Sequence, residues 1–255
     1  GIRMRDAQRR RPICGDGYAR RFMDDRGLAI FAEFATQLGP NASNVARHRY
    51  IDDFLRARLA RVPGLQVVLI GCGFDSRAFR LSAGSWFELD EPQLIAYKND
   101  KLPAPQAPNP LQRIAIEFGV DSLEEKLQAI PKAAPSVFVI EGVTMYVPAE
   151  SLRATLEILK SRFPGSEVIA DLMTHDFITR YGRNIKRIIA QLGAQMIPGD
   201  APGLPFEQAG YTEVSSESIF GLSFTYRGLG ALNPLLRLLV PGAYSGYTIR
   251  TYQLT

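Results

Sequence analysis

Gln66-Val67-Val68-Leu69-Ile70-Gly71-Cys72-Gly73-Phe74-Asp75-Ser76-Arg77 is the stretch on which the fold turns. Its opening five residues are almost wholly apolar, as in a strand buried on both faces of a parallel sheet. Two glycines spaced by one residue then open a turn, and Asp75 stands where it would cap a following helix. The spacing alone says little. With 22 glycines in 255 residues, roughly two such pairs arise by composition, and the chain has Gly15/Gly17, Gly71/Gly73 and Gly228/Gly230. Only the middle pair follows an apolar strand and precedes a helix start. Missing β-carbons there let a ligand approach the backbone at the carboxyl end of the sheet.

Outward from this turn, strands and helices alternate. Residues 85–89 read as a second strand with a helix over 92–102, and residues 111–118 as a third with a helix over 123–130. Ser136-Val137-Phe138-Val139-Ile140 is the fourth strand, and a helix started by Pro148 runs to about residue 162. The fifth strand spans 167–172. Beyond Leu172 the pattern loosens: helix over 176–193, a short helix at 204–209, a strand at 211–217, a leucine-rich piece at 229–240 and a last strand at 247–254. Upstream, residues 20–38 place apolar side chains at three-to-four spacing, Gly39-Pro40-Asn41 ends that run, and Ser43 or Asn44 caps a helix over 45–59. Pro63-Gly64 breaks it. The expected fold is α/β, a doubly wound sheet behind an N-terminal helical cap. It forms a single domain: 1–62 cap and 63–255 core, with an insertion at 218–246.

Composition narrows the function. Apolar residues make up 46% and charged residues 22%, ordinary for a globular enzyme, and no apolar run approaches the ~20 residues of a membrane span. Cys14 and Cys72 cannot build a disulfide framework and form no CxxC metal pattern, so the reducing cytoplasm is the expected compartment and no metal is expected. The net charge of +4 owes much to the start of the chain, where Arg9, Arg10 and Arg11 are consecutive. Elsewhere acids and bases are mixed, so a nucleic-acid partner is not expected.

Asp90 ends the second strand, and in doubly wound nucleotide folds a carboxylate there accepts hydrogen bonds from ribose hydroxyls. The dinucleotide fingerprint needs a third glycine, but that position is Ser76, with bulky Phe74 and Arg77 beside it. The turn therefore suits a nucleoside without a diphosphate better than NAD. No GxxxxGK[ST] phosphate loop occurs.

The run from Val68 to Leu81 resembles the leucine carboxyl methyltransferase family, whose members include bacterial polyketide O-methyltransferases. The matching blocks are Glu88-Leu89-Asp90-Glu91-Pro92 with Lys98, Glu141-Gly142-Val143-Thr144-Met145-Tyr146-Val147, and upstream Arg47-His48-Arg49-Tyr50-Ile51-Asp52-Asp53. They cover residues 45–172 in order. The resemblance implies a mostly parallel, seven-stranded class I methyltransferase sheet that binds S-adenosylmethionine. Arg47 would hold the carboxylate of the cofactor's methionine part, with Arg49 the alternative should the register differ. Gly71, Cys72 and Gly73 would line that end, Asp90 would hold the ribose, and Glu141 would face the amino group. Glu117-Phe118 stands where the family has Asp-Leu against the adenine. Arg77 and Arg80 are read as structural. The family's N-terminal basic residue has Arg20 and Arg21 as candidates.

The resemblance also implies O-methyl transfer to a small-molecule or peptide acceptor, with a carboxylate preferred over a hydroxyl. A carboxylate is ionised at neutral pH, whereas a phenol, with a pKa near ~10, benefits from a base. His175, after the fifth strand, and Tyr146 are the candidate catalytic residues. The segment 222–247 is read as a lid or wall over the acceptor, and Leu235-Leu236-Arg237-Leu238-Leu239-Val240 suits a buried helix or a dimer contact. Two other classes stay open: an NAD-dependent oxidoreductase on a similar sheet, and a catalytically silent binding protein of the methyltransferase fold.

Overall fold

The computed structural model describes residues 1–229 and 238–254. Its strands are β1 Gln66–Ile70, β2 Ser85–Asp90, β3 Leu111–Ala115, β4 Ser136–Ile140, β5 Glu167–Met173, β6 Tyr211–Ser218 and β7 Tyr247–Leu254. They form one seven-stranded sheet in the order β3-β2-β1-β4-β5-β7-β6. Strands β1 to β5 are parallel, and β7 lies antiparallel between β5 and β6. This is the doubly wound, mostly parallel sheet expected.

Both faces of β1 and β4 are covered, so every residue of these strands is buried. Alternation sorts the side chains into two cores. Val67, Leu69, Val137 and Val139 pack with Ile51 and Leu55 of the long helix Leu38–Leu59, and with Trp86. Val68, Ile70, Phe138 and Ile140 pack on the opposite face with Leu152, Leu156 and Leu159. Strand order reverses between β1 and β4, so their carboxyl ends diverge into a crevice, the place where such sheets bind ligands.

The helical cap differs from expectation. It comprises α1 (Ile2–Ala7), a 3-10 turn (Gly17–Phe22), α2 (Asp25–Phe34) and α3 (Leu38–Leu59). The run read as one helix over 20–38 breaks at Asp24, whose carboxylate caps α2 by accepting the Gly27 N–H at 2.7 Å. Gly39-Pro40-Asn41 does not end a helix but lies in the first turn of α3, where a proline forfeits no hydrogen bond. Asn41 Nδ2 instead donates to the Phe34 carbonyl at 2.8 Å, satisfying the end of α2. Ser43 and Asn44 therefore sit inside α3 and cap nothing.

Helices α4 (Arg77–Arg80), α5 (Pro92–Lys101), α6 (Leu123–Leu127) and α7 (Ala149–Arg162) follow β1 to β4 in turn. The N-cap of α4 is Ser76, although Asp75 Oδ1 accepts the Arg77 N–H at 2.7 Å. The helix read over 176–193 is divided at Gly182 into α8 (His175–Tyr181) and α9 (Arg183–Gln191). Strand β3 stops at Ala115, short of the expected 118. After α10 (Leu204–Gln208) and β6 comes α11 (Ile219–Thr225), which packs on α3 with Ser223 Oγ 3.2 Å from Ser43 Oγ. Leu235, Leu236 and Arg237 of the apolar run lie outside the described residues. Among the described residues, no helix is long and apolar enough to cross a membrane.

Candidate active site

The crevice holds a cavity of about 270 Å³. The end of β1 contributes Gly71, Cys72, Gly73 and Phe74, the end of β4 contributes Glu141 and Gly142, α3 contributes Asn44, Arg47 and His48, and α1 contributes Arg3. Gly71 and Gly73 both hold positive φ, +67° and +49°, a region that favours glycine. Their roles differ. A β-carbon on Gly71 would stand 2.5 Å from Val143 Cγ2, whereas one on Gly73 meets nothing within 4 Å. Gly71 lets the turn pack; Gly73 keeps the cavity open. Asp90 clamps the turn from behind, accepting the Gly73 N–H at 2.6 Å and the Glu91 N–H at 2.8 Å.

Arg47 is fixed from two sides. Its Nε donates to Glu141 at 3.0 Å, and Nη1 donates to Asp171 Oδ2 at 2.8 Å and also meets the Tyr247 hydroxyl. Asp171 in turn accepts the Gly142 N–H at 2.6 Å and the Tyr247 hydroxyl at 2.7 Å. Beneath them Arg77, wholly buried, bridges Asp52, Asp75 and Glu141. Arg80 adds a contact to Asp52 at 2.6 Å. Arg3 donates to Asp16 and to the Phe74 carbonyl, both at 2.7 Å, and so ties α1 to the glycine turn.

This network sets the ionisation of the site. Burial opposes the charge on Glu141, but Arg77, His48 and Arg47 outweigh it and hold the carboxyl well below the usual range. Asp52 and Asp75 are lowered in the same way, chiefly by Arg77 against the opposing effect of burial. His48 is driven toward its neutral form by burial and by Arg77. Its Nδ1 and Nε2 lie 2.8 Å from guanidinium nitrogens of Arg77 and Arg80. The neutral ring accepts at one nitrogen only; with the hydrogen on Nδ1, facing the Glu141 carboxylate at 3.3 Å, Nε2 accepts from Arg80. Burial pushes the Cys72 thiol far up, in keeping with a small buried residue and not a nucleophile. Donor atoms of His48, Asp75 and Glu141 come within 4.8 Å of one another, the spacing of a metal site. Arg77 contacts all three, and its guanidinium fills the position a cation would take.

Of the residues singled out from sequence, Arg47, Gly71, Cys72, Gly73 and Glu141 meet at the cavity, with Asp90 behind the turn. Others do not. Glu117 and Phe118 are exposed beyond the early end of β3; their N–H groups donate to Asp121 and Glu91, and neither side chain lines the cavity. His175 is the exposed first residue of α8, with its N–H on the Gly199 carbonyl at 3.0 Å. Tyr146 is partly buried near Arg47 and Asp171 but does not line the cavity, and burial raises its hydroxyl pKa. Arg49 pairs with Asp53 instead, and Arg20 and Arg21 are exposed. The basic residue that reaches the cavity from the N-terminal segment is Arg3. Sequence reading also missed Asn44, Asp171 and Tyr247. Asp171 carried a signal, since an acid inside the buried run Val168-Ile169-Ala170-Asp171-Leu172 requires a partner.

Comparisons with known proteins agree with this architecture. A family model described as leucine carboxyl methyltransferase matches residues 2–160. A Mycobacterium tuberculosis protein named "Putative S-adenosyl-L-methionine-dependent methyltransferase" is 33% identical over 165 residues, covering 56% of this chain and 53% of that one. A like-named Parafrankia protein is 36% identical over 135 residues, covering 50% and 43%. The chain thus spans about half the length of the curated relatives it matches. Geranyl diphosphate C-methyltransferase from Streptomyces coelicolor has a similar fold, with a TM-score of 0.54 and 13% identity over 82% of this chain and 76% of that chain. Magnesium protoporphyrin IX methyltransferase from Synechocystis gives a TM-score of 0.53 and 13% identity over 94% and 99%. At these identities the likeness is one of fold. With its family match running from α1 through α7 and the glycine turn at its centre, the chain belongs to the leucine carboxyl methyltransferase family.

Proposed function

We propose that the protein is an S-adenosylmethionine-dependent O-methyltransferase that methylates a carboxylate in preference to a hydroxyl, on a small-molecule or peptide acceptor. The observation that carries this reading is the charge pattern of the cavity. Arg3 and Arg47 stand beside Glu141 and Asp75 at the rim of a glycine turn, complementary to an amino acid's carboxylate and ammonium groups. The open side of Gly73 is where a ligand's atoms would rest. Asp90 lies behind the turn, but each of its oxygens keeps a further lone pair, which supports a role in accepting from ribose hydroxyls. Ser76, buried with its hydroxyl on Asp16 at 2.6 Å, fills the position a dinucleotide's third glycine would occupy.

When bound, S-adenosylmethionine supplies a sulfonium methyl: an acceptor oxygen lone pair forms the new C–O bond as the S–C pair stays on sulfur, leaving a methyl ester and a thioether. The protein's part is to align and to exclude water. The titratable groups lining the cavity favour a carboxylate as acceptor. Arg3, Arg47, Asp75, Arg77 and Glu141 are locked in ion pairs, the His48 nitrogens are occupied, and the Cys72 thiol is held protonated. Among the described residues, none that lines the cavity is free to serve as a base. An acceptor already ionised needs none.

Calorimetry with S-adenosylhomocysteine tests the cofactor; no heat from folded protein overturns the reading. Turnover of methyl-labelled cofactor on an acceptor panel tests catalysis. Methyl esters release volatile methanol in mild alkali and methyl ethers do not, so base-stable product would move the assignment to a hydroxyl.

A further inference from the structure

Helix α2 carries Leu28, Ile30, Phe31 and Phe34, yet none of its residues is buried. An amphipathic helix ordinarily seals such a face against the core. Here Ile30, Phe31 and Phe34 line a second cavity of about 320 Å³, an open cleft to which Ile2, Phe22 and Met23 also contribute. Its lining is mainly apolar and aromatic. The polar residues Arg3 and Asn44 line both this cavity and the first, as does Phe74. The two spaces therefore adjoin along these three residues.

Phe74 follows Gly73 directly; its ring stacks on Phe22 at 5.1 Å and remains 39% exposed. Asn44 is part-exposed, and its carboxamide makes no hydrogen bond among the described residues, leaving donors and an acceptor to offer where the two cavities adjoin. Arg3 adds positive charge there. Apart from these two side chains and the backbone of Gly1 and Gly27, the chamber is lined by apolar residues.

We propose that this second chamber receives the apolar part of the methyl acceptor, an aromatic or acyl-chain molecule whose acceptor oxygen rests beside Asn44 and Arg3, where the two cavities adjoin. The proposal rests on the methyltransferase reading and specifies its substrate class. Hydrocarbon transferred from water gains about fourfold in affinity per buried methylene. Affinity should therefore climb with chain length until the chamber is full.

The experiment titrates straight-chain alkanoates, from butanoate to dodecanoate, into protein saturated with S-adenosylhomocysteine. The expected result is affinity rising several-fold per methylene to a plateau. Ile30→Trp, which fills the chamber, should weaken the longest ligand at least tenfold while S-adenosylhomocysteine affinity stays within twofold. Phe34→Ala should move the plateau to longer chains, a gain that misfolding cannot imitate. Affinity independent of chain length, or unchanged in Ile30→Trp, overturns the proposal. Should S-adenosylhomocysteine itself fail to bind, the methyltransferase reading falls, and the same series on ligand-free protein still decides whether the chamber takes acyl chains.

Discussion

Tyr247 donates its hydroxyl to Asp171 at 2.7 Å from the neighbouring antiparallel strand, and both hold the same Arg47 guanidinium. In the β5–β7 register Tyr247 faces Met173, so the pair is diagonal on one face of the sheet. Tyr247→Phe keeps the ring and removes the hydroxyl. Losing that hydrogen bond is expected to cost about 1 kcal/mol of stability, read by urea denaturation. Binding of S-adenosylhomocysteine, read by calorimetry, should weaken three- to tenfold as Arg47 loosens. Unchanged binding would remove Tyr247 from the positioning of Arg47.

Arg77 is the keystone of the buried charges. Arg77→Lys keeps the charge but replaces a planar fork serving Asp52, Asp75 and Glu141 with a single ammonium. A destabilisation of about 3–5 kcal/mol is expected, of the order found when one partner of a buried ion pair is removed. Circular dichroism through a urea titration measures it, and a loss below 1 kcal/mol would show that the carboxylates find other partners.

The two glycines of the turn should fail differently. Each holds positive φ, so alanine costs about 1–2 kcal/mol at either position. At Gly71 the new methyl also collides with Val143, adding about 1–3 kcal/mol of overpacking. Gly73→Val, by contrast, projects into the cavity and should weaken S-adenosylhomocysteine more than tenfold. Equal losses of stability for Gly71→Ala and Gly73→Ala would contradict this division of labour.

His48 gives the fold a pH dependence of definite sign. Its pKa is lowered in the folded state by burial and by Arg77, with Arg3 adding to the effect and Glu141 opposing it. The unfolded chain therefore takes up a proton first as pH falls below about 6.5, and stability is lost from there downward toward the folded pKa. The slope per group is at most about 1.4 kcal/mol per pH unit. Denaturation midpoints measured from pH 7 to 5 should fall less steeply in His48→Gln than in the parent. Below about pH 4, protonation of Glu141, Asp52 and Asp75, whose folded pKa values are depressed, takes over and affects both proteins alike.

The parallel core was the legible part of the chain. The bounds of β1, β4 and β7 could be read directly, because buried strands leave unbroken apolar or alternating runs between turn residues. The cap was harder. Gly39-Pro40 carries the same letters whether it ends one helix or begins another, and only the Asn41–Phe34 contact, between residues that meet after folding, distinguishes the two. Gly71, Gly73, Arg47 and Glu141 could be found because they flank recognisable strand ends or motifs. Arg3, in a short helix with nothing to mark it, and Tyr247, one of ten tyrosines, could not. His175 and Glu117 show the converse: both adjoin strand ends, yet both side chains are exposed and neither lines the cavity.

Arg47 is bonded to a residue 124 positions away and to another 200 positions away. Since β7 inserts between β5 and β6, the last of these seven strands in chain order is an interior one. During synthesis, therefore, β5 has an unpaired edge, and Arg47 lacks one of its partners, until β7 has left the ribosome. On the proposed function, competence to bind cofactor would then arrive as a late, single event and not by degrees. Nascent chains stalled before Tyr247 should carry the glycine turn yet bind nothing, needing protection from strand-edge association over that interval.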